Sequence, residues 1–68
     1  MKLVDTRGLA CPEPVIRTKR ALDAGEFPLE VLADTRTAVI NIERLARKNN
    51  LKVSVAESTG TFTLRLEQ

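Results

Sequence analysis

Hydrophobic residues recur with two different periods along this chain of 68 residues, and the places where the period switches mark its elements. Lys2 to Thr6 is a short first strand. Residues 12 to 24 place Val15, Ile16, Ala21 and Leu22 at helical spacing, and Gly25 is a C-terminal stop. After Pro28 the period falls to two: Leu29, Val31 and Ala33 alternate with more polar neighbours up to Asp34, as in a strand. A second helix over residues 36 to 49 carries Val39, Ile42, Leu45 and Ala46 on one face, is capped by Asp34 or Thr35, and ends at Asn49-Asn50. Leu51, Val53 and Val55 then face Phe62, Leu64 and Leu66 across Ser58-Thr59-Gly60, which predicts an antiparallel hairpin.

The order is βαβαββ. A strand, helix and strand imply a right-handed parallel crossover, and two amphipathic helices with half-buried strands imply helices on one sheet face. The expected architecture is a two-layer α/β sandwich with a four-stranded mixed sheet, forming one domain over residues 1–68. No repeat, linker or low-complexity tract interrupts it.

Composition narrows the function classes. With 43% hydrophobic and 29% charged residues the chain reads as an ordinary globular domain. One cysteine cannot form an internal disulfide and no apolar leader opens the chain, so a cytoplasmic location is expected. No apolar run approaches the roughly 18 residues of a membrane span. The absence of histidine removes Cys-His catalysis and leaves no evident metal-ligand cluster, so neither cofactor nor metal is expected. The net charge is +2, with Arg17, Lys19 and Arg20 on the first helix and Arg44, Arg47 and Lys48 on the second. Solvated helix faces account for such charges; an acidic partner surface or tRNA is the alternative. Phe27 and Phe62 are the only aromatic residues and suit core or turn positions, so direct nucleic-acid binding is not expected.

Candidate chemistry concentrates in Asp5-Thr6-Arg7-Gly8-Leu9-Ala10-Cys11-Pro12-Glu13-Pro14. Pro12 suits the first helical position, which makes Cys11 the N-cap, at the positive end of the helix where a thiolate is favoured. With Pro12 and Pro14 at the first and third positions, the Glu13 N–H is the early donor left within reach of the sulfur. Glu13 raises the thiol pKa, while Arg7 and Arg17 offset it, Arg17 by pairing with Glu13 four residues earlier. Gly8 permits a turn with positive φ or a close approach to a partner. The loop lies at the carboxyl end of the first strand, where open α/β sheets place their chemistry. Asp34 closes the second strand at that same end, so Asp5 and Asp34 either flank the thiol's surroundings or, in the case of Asp34, only cap a helix. The competing reading of Cys11 is a small buried apolar side chain.

Asp5, Gly8, Cys11, Pro12 and Pro14, with Asp34 at the end of the second strand, resemble the signature of the TusA/SirA/YedF family of small sulfur-carrier proteins. The likeness covers essentially the whole chain. Thr18-Lys19 and the run Asp34-Thr35-Arg36-Thr37-Ala38-Val39 are closer to YedF-like domains; many TusA-like members have a second acid where this chain has Thr35. Some YedF proteins continue into a DsrE-like domain. The resemblance implies a fold similar to the C-terminal domain of translation initiation factor 3. It also implies that Cys11 accepts sulfane sulfur as a persulfide from a cysteine desulfurase or rhodanese-like donor and passes it to an acceptor protein. Tasks in such families include tRNA thiolation, sulfur oxidation, cofactor biosynthesis and, for YedF-like members, a link to selenium metabolism.

Such a protein is a carrier rather than a turnover enzyme, and it needs no general base. Helix 1 around Arg17 and Arg20 borders the sulfur and is the expected donor-facing surface. The alternatives are a regulatory or partner-binding module in which Cys11 is dispensable, and an RNA-binding domain with strongly salt-dependent affinity.

Overall fold

The computed structural model describes residues 2–10 and 12–68. Its elements are β1 (Lys2–Asp5), α1 (Glu13–Asp23), β2 (Leu29–Ala33), α2 (Arg36–Lys48), β3 (Lys52–Ser58) and β4 (Thr61–Glu67). The strands form one mixed sheet in the order β1-β2-β4-β3. β1 runs parallel to β2, with Val4 beside Val31, whereas β4 is antiparallel to both β2 and β3, with Leu64 beside Val31 and Val55. The expected element order and mixed sheet are therefore present.

Alternation sets which face each strand buries. Leu29, Val31 and Ala33 of β2 and Phe62, Leu64 and Leu66 of β4 are buried, joined by Ala38, Val39, Ile42 and Ala46 of α2 and Ala21 of α1. Each fully buried Leu, Ile or Val among them stabilises the fold by about 1.5–3 kcal/mol. Phe62 is buried and Phe27 half-buried, in keeping with core and turn roles.

The inward face of α1 differs from the expected one. Ile16 is exposed, and the buried positions are Pro14, Thr18 and Ala21. Thr18 satisfies its buried hydroxyl by donating to the Pro14 carbonyl at 2.8 Å, so a polar residue serves on an apolar face. Val55 is likewise not half-buried but 42% exposed. Its register on β3 is the one expected, but β3 is the outer strand of the sheet and Val53, not Val55, packs against the core.

Both helices end through backbone closure. Gly25 (φ +71) donates to Leu22 O and Glu26 to Ala21 O; Asn50 (φ +59) donates to Arg47 O and Leu51 to Ala46 O. These are the paired bonds of a Schellman motif, with glycine and asparagine supplying the left-handed residue. Thr59 and Gly60, both with positive φ, form the two-residue hairpin turn, as a type I′ turn requires.

Candidate functional site

The β1–α1 connection is held from both sides by carboxylates. Asp5 ends β1 and accepts two bonds from its neighbour's guanidinium, Arg7 Nε to Oδ1 at 3.0 Å and Arg7 Nη2 to Oδ2 at 2.8 Å, and a third from the Arg7 N–H at 3.0 Å. The Arg7 side chain, then its backbone N–H, hold the Asp5 carboxyl at about 2, below the usual carboxylate range. The same pairing raises the pKa of Arg7. Arg7 is thus engaged with Asp5 within the loop.

From the other side, Asp34 reaches across 26 residues of sequence and accepts the Gly8 N–H at 2.8 Å. Thr35, not Asp34, caps α2: its backbone is extended (φ −132, ψ 148) and its hydroxyl accepts the Ala38 N–H at 3.2 Å. The two expectations for Asp34 therefore separate. A residue in the extended region directly before the helix has the cap geometry, and the residue one step earlier is left to point at the neighbouring loop.

Between these anchors the chain turns tightly. Leu9 N–H donates to Thr6 O at 3.3 Å, with Gly8 at φ +78 in the third position of the turn, which is what a type II turn demands. Thr6 is buried, and both its N–H and its hydroxyl donate to Leu32 O. This residue continues the β1–β2 ladder past the end of β1 and was not among the expected site residues; the signal for it, a hydroxyl residue between Asp5 and Arg7, is visible only with β2 alongside.

The start of α1 falls one residue later than expected. Pro12 is the N-cap, with no side-chain bond, and the prolines stand at the cap and the second helical position. Pro12 O accepts the Ile16 N–H, the first turn of the helix, while Glu13 N–H donates to Ala10 O at 2.9 Å. That donor is consumed by the loop and is not left for a sulfur. Cys11 lies outside the described residues, so its expected N-cap position is replaced by Pro12 and its own surroundings are not part of the geometry. Glu13 does pair with Arg17, at 3.5 Å between half-exposed groups, so the expected i,i+4 partnership is present.

Two concavities border this loop. A small cavity of about 30 Å³ lies where Leu9, Pro12, Pro14 and Val15 meet Thr35, Thr37, Ala38 and Asn41 of the α2 start. On the far side of α1, an open groove of about 340 Å³ runs along the free edge of β1, lined by Leu3, Val4, Asp5, Ala21 and Glu26 with Arg17 and Arg20. Among the described residues no group of three or more Asp, Glu, His or Cys side chains is placed to hold a metal ion. No helix among them is long and apolar enough to cross a membrane.

Comparison with known proteins bears on this arrangement. The sequence model of the family described as sulfurtransferase TusA matches residues 2–68. A protein of Methanocaldococcus jannaschii named "Putative sulfur carrier protein" is 45% identical over 62 residues, 87% of this chain and 81% of that one. An Archaeoglobus fulgidus protein of the same name is 44% identical over 50 residues, 71% of this chain and 65% of that one. The crystal structure of a SirA-like protein from Desulfitobacterium hafniense superposes with a TM-score of 0.88 at 26% identity, covering 97% of this chain and 95% of that one.

Proposed function

The chain belongs to the sulfurtransferase TusA family, and from that premise we propose that it carries sulfane sulfur as a persulfide on Cys11, relaying it from a donor protein to an acceptor protein. A sulfur-carrier role is the common ground of the relatives; the persulfide on this cysteine is our reading of the site. The observation that supports it best is the bracing of the β1–α1 loop. Asp5 and Asp34 fix the backbone on its two sides, and Pro12 and Pro14 stiffen the chain where it enters α1. A loop that only linked two elements would not need four such restraints within ten residues.

The chemistry is thiol exchange. The Cys11 thiolate attacks the outer sulfur of a donor persulfide, the S–S bond of the donor breaks, and the donor thiolate leaves; the acceptor thiolate then attacks the outer sulfur on Cys11, which departs as thiolate. Protons move only to and from thiols, so a chain without histidine suffices. The donor is a cysteine desulfurase or a rhodanese-like protein. It meets α1 beside Arg17 and Arg20, next to the groove along β1; Arg20 makes no ion pair among the described residues and is available to an acidic partner.

Alkylation tests the proposal against its rivals. Blocking the thiol with iodoacetamide abolishes sulfur uptake from a cysteine desulfurase if Cys11 is the carrier. Uptake that survives alkylation contradicts the proposal, and a binding module indifferent to the thiol takes its place.

A further inference from the structure

Positive charge is distributed unevenly over this surface. Arg7, Arg17, Lys19, Arg47 and Arg65 each pair with a carboxylate, at Asp5, Glu13, Asp23, Glu43 and Glu67 respectively. Among the described residues Arg20, Arg36, Arg44, Lys48 and Lys52 have no such partner. Three of these five lie on α2. They stand at positions 36, 44 and 48, with Ile40 completing the four-residue spacing, so all four follow one exposed ridge of the helix. The single acid within α2, Glu43, is already engaged by Arg47. Ile40 is 42% exposed among these cations, an apolar side chain in the middle of a charged ridge.

The ridge is anchored at one end and well placed. Arg36 stacks its guanidinium 5.6 Å above the Phe62 ring, which fixes one end. Arg36 follows Thr35, a residue lining the small cavity beside Leu9 and Pro12, and from there the ridge runs away along about 18 Å of helix. A partner lying on it has one end at the braced β1–α1 loop.

We propose that this ridge of α2 (Arg36, Ile40, Arg44, Lys48) is a second docking surface, separate from α1, for a protein partner that presents carboxylates around an apolar socket. Charge complementarity selects the acidic class. The exposed isoleucine at the centre selects protein over nucleic acid: a phosphate backbone offers Ile40 nothing to bury against, and neither Phe27 nor Phe62 is exposed to stack on bases. Within the carrier reading, which the binding itself does not depend on, two surfaces meeting at one loop let donor and acceptor use different faces.

The test is equilibrium binding by fluorescence anisotropy with the full chain. The probes are a labelled glutamate-rich helical peptide bearing one leucine stripe and a labelled single-stranded RNA, at low and at physiological ionic strength. The ridge predicts peptide binding that Arg44→Glu and Ile40→Asp each weaken about tenfold or more, while Arg65→Glu, on the opposite face of the sheet, leaves it within about twofold. Arg44→Gln, with circular dichroism as the fold check, gives the same ranking with less perturbation. RNA binding tighter than peptide and indifferent to Ile40→Asp overturns the proposal, as does equal loss from Arg65→Glu and the α2 substitutions, absence of peptide binding, or a wild-type dimer dissolved by Ile40→Asp. No sulfur enters the assay, so a failure to load Cys11 leaves this result unaffected.

Discussion

The Asp34 carboxylate accepts the Gly8 N–H at 2.8 Å, joining the end of β2 to the loop that leads into α1. Two segments 26 residues apart are thereby fixed at the end of the parallel strand pair β1–β2, and the position of the proposed carrier loop depends on it.

Removing that acceptor loosens the loop more than it destabilises the fold. Asp34→Ala is expected to cost about 0.5–1.5 kcal/mol, since the bond is exposed to water, while amide exchange at Gly8 accelerates and sulfur loading slows several-fold. Asp34→Asn keeps an acceptor and falls between. Hydrogen exchange by NMR reads the loop directly; unchanged protection at Gly8 in Asp34→Ala contradicts the bracing role.

Gly8 itself is a conformational requirement rather than a steric one. A Cβ there meets nothing within 4 Å, but φ is +78, so Gly8→Ala carries only the left-handed penalty of about 1–2 kcal/mol. Urea unfolding measures it. A loss well beyond that range means that the space is filled by something the geometry does not show.

The ion pair at Asp5 gives the stability a signature in acid. Its folded pKa, about 2, lies below its ordinary value of 3.8, so the folded state binds fewer protons and the contribution is complete above about 3.8, then lost as the pH falls toward 2. Asp5→Asn flattens that segment of the acid limb by removing the contribution present at neutral pH, a loss kept small because the pair is exposed to solvent. Urea midpoints at stepped pH values check it; an identical acid limb in Asp5→Asn shows that the pairing does not persist in solution.

The prolines separate into two kinds. Pro12 is exposed and Pro14 buried, with its carbonyl accepting from Thr18. Pro12→Ala therefore reduces sulfur transfer with stability within about 0.5 kcal/mol, whereas Pro14→Ala lowers both. Equal loss of stability at the two sites makes Pro12 a packing residue and removes its positioning role.

Much of this architecture was readable in the chain because its periods switch cleanly. Leu29-Val31-Ala33 has period two and Val39-Ile42-Ala46 a helical period, with Gly25 and Asn50 as stops between elements. What escaped a linear reading depends on neighbours in space. Thr18 and Pro14 carry no hydrophobic signal, yet the Thr18 hydroxyl finds its acceptor one turn back and both are buried. Val55 obeys its alternation, but no helix residue count shows that an outer strand leaves it uncovered. Two prolines spaced by one residue fit either of two helix starts, and Glu13 donating to Ala10 selects the later. The acids at positions 5 and 34 were visible as candidates; that Asp34 crosses to Gly8 and leaves the cap to Thr35 depends on the register of β1 on β2.

The most direct test of the carrier role is intact mass under non-reducing conditions after incubation with a cysteine desulfurase and cysteine, the Cys11→Ser variant alongside. A carrier on Cys11 gains one sulfur on the wild type alone, erased by dithiothreitol. An equal gain on Cys11→Ser, or none on a wild type whose thiol alkylates freely and which a rhodanese-like donor also fails to load, contradicts it.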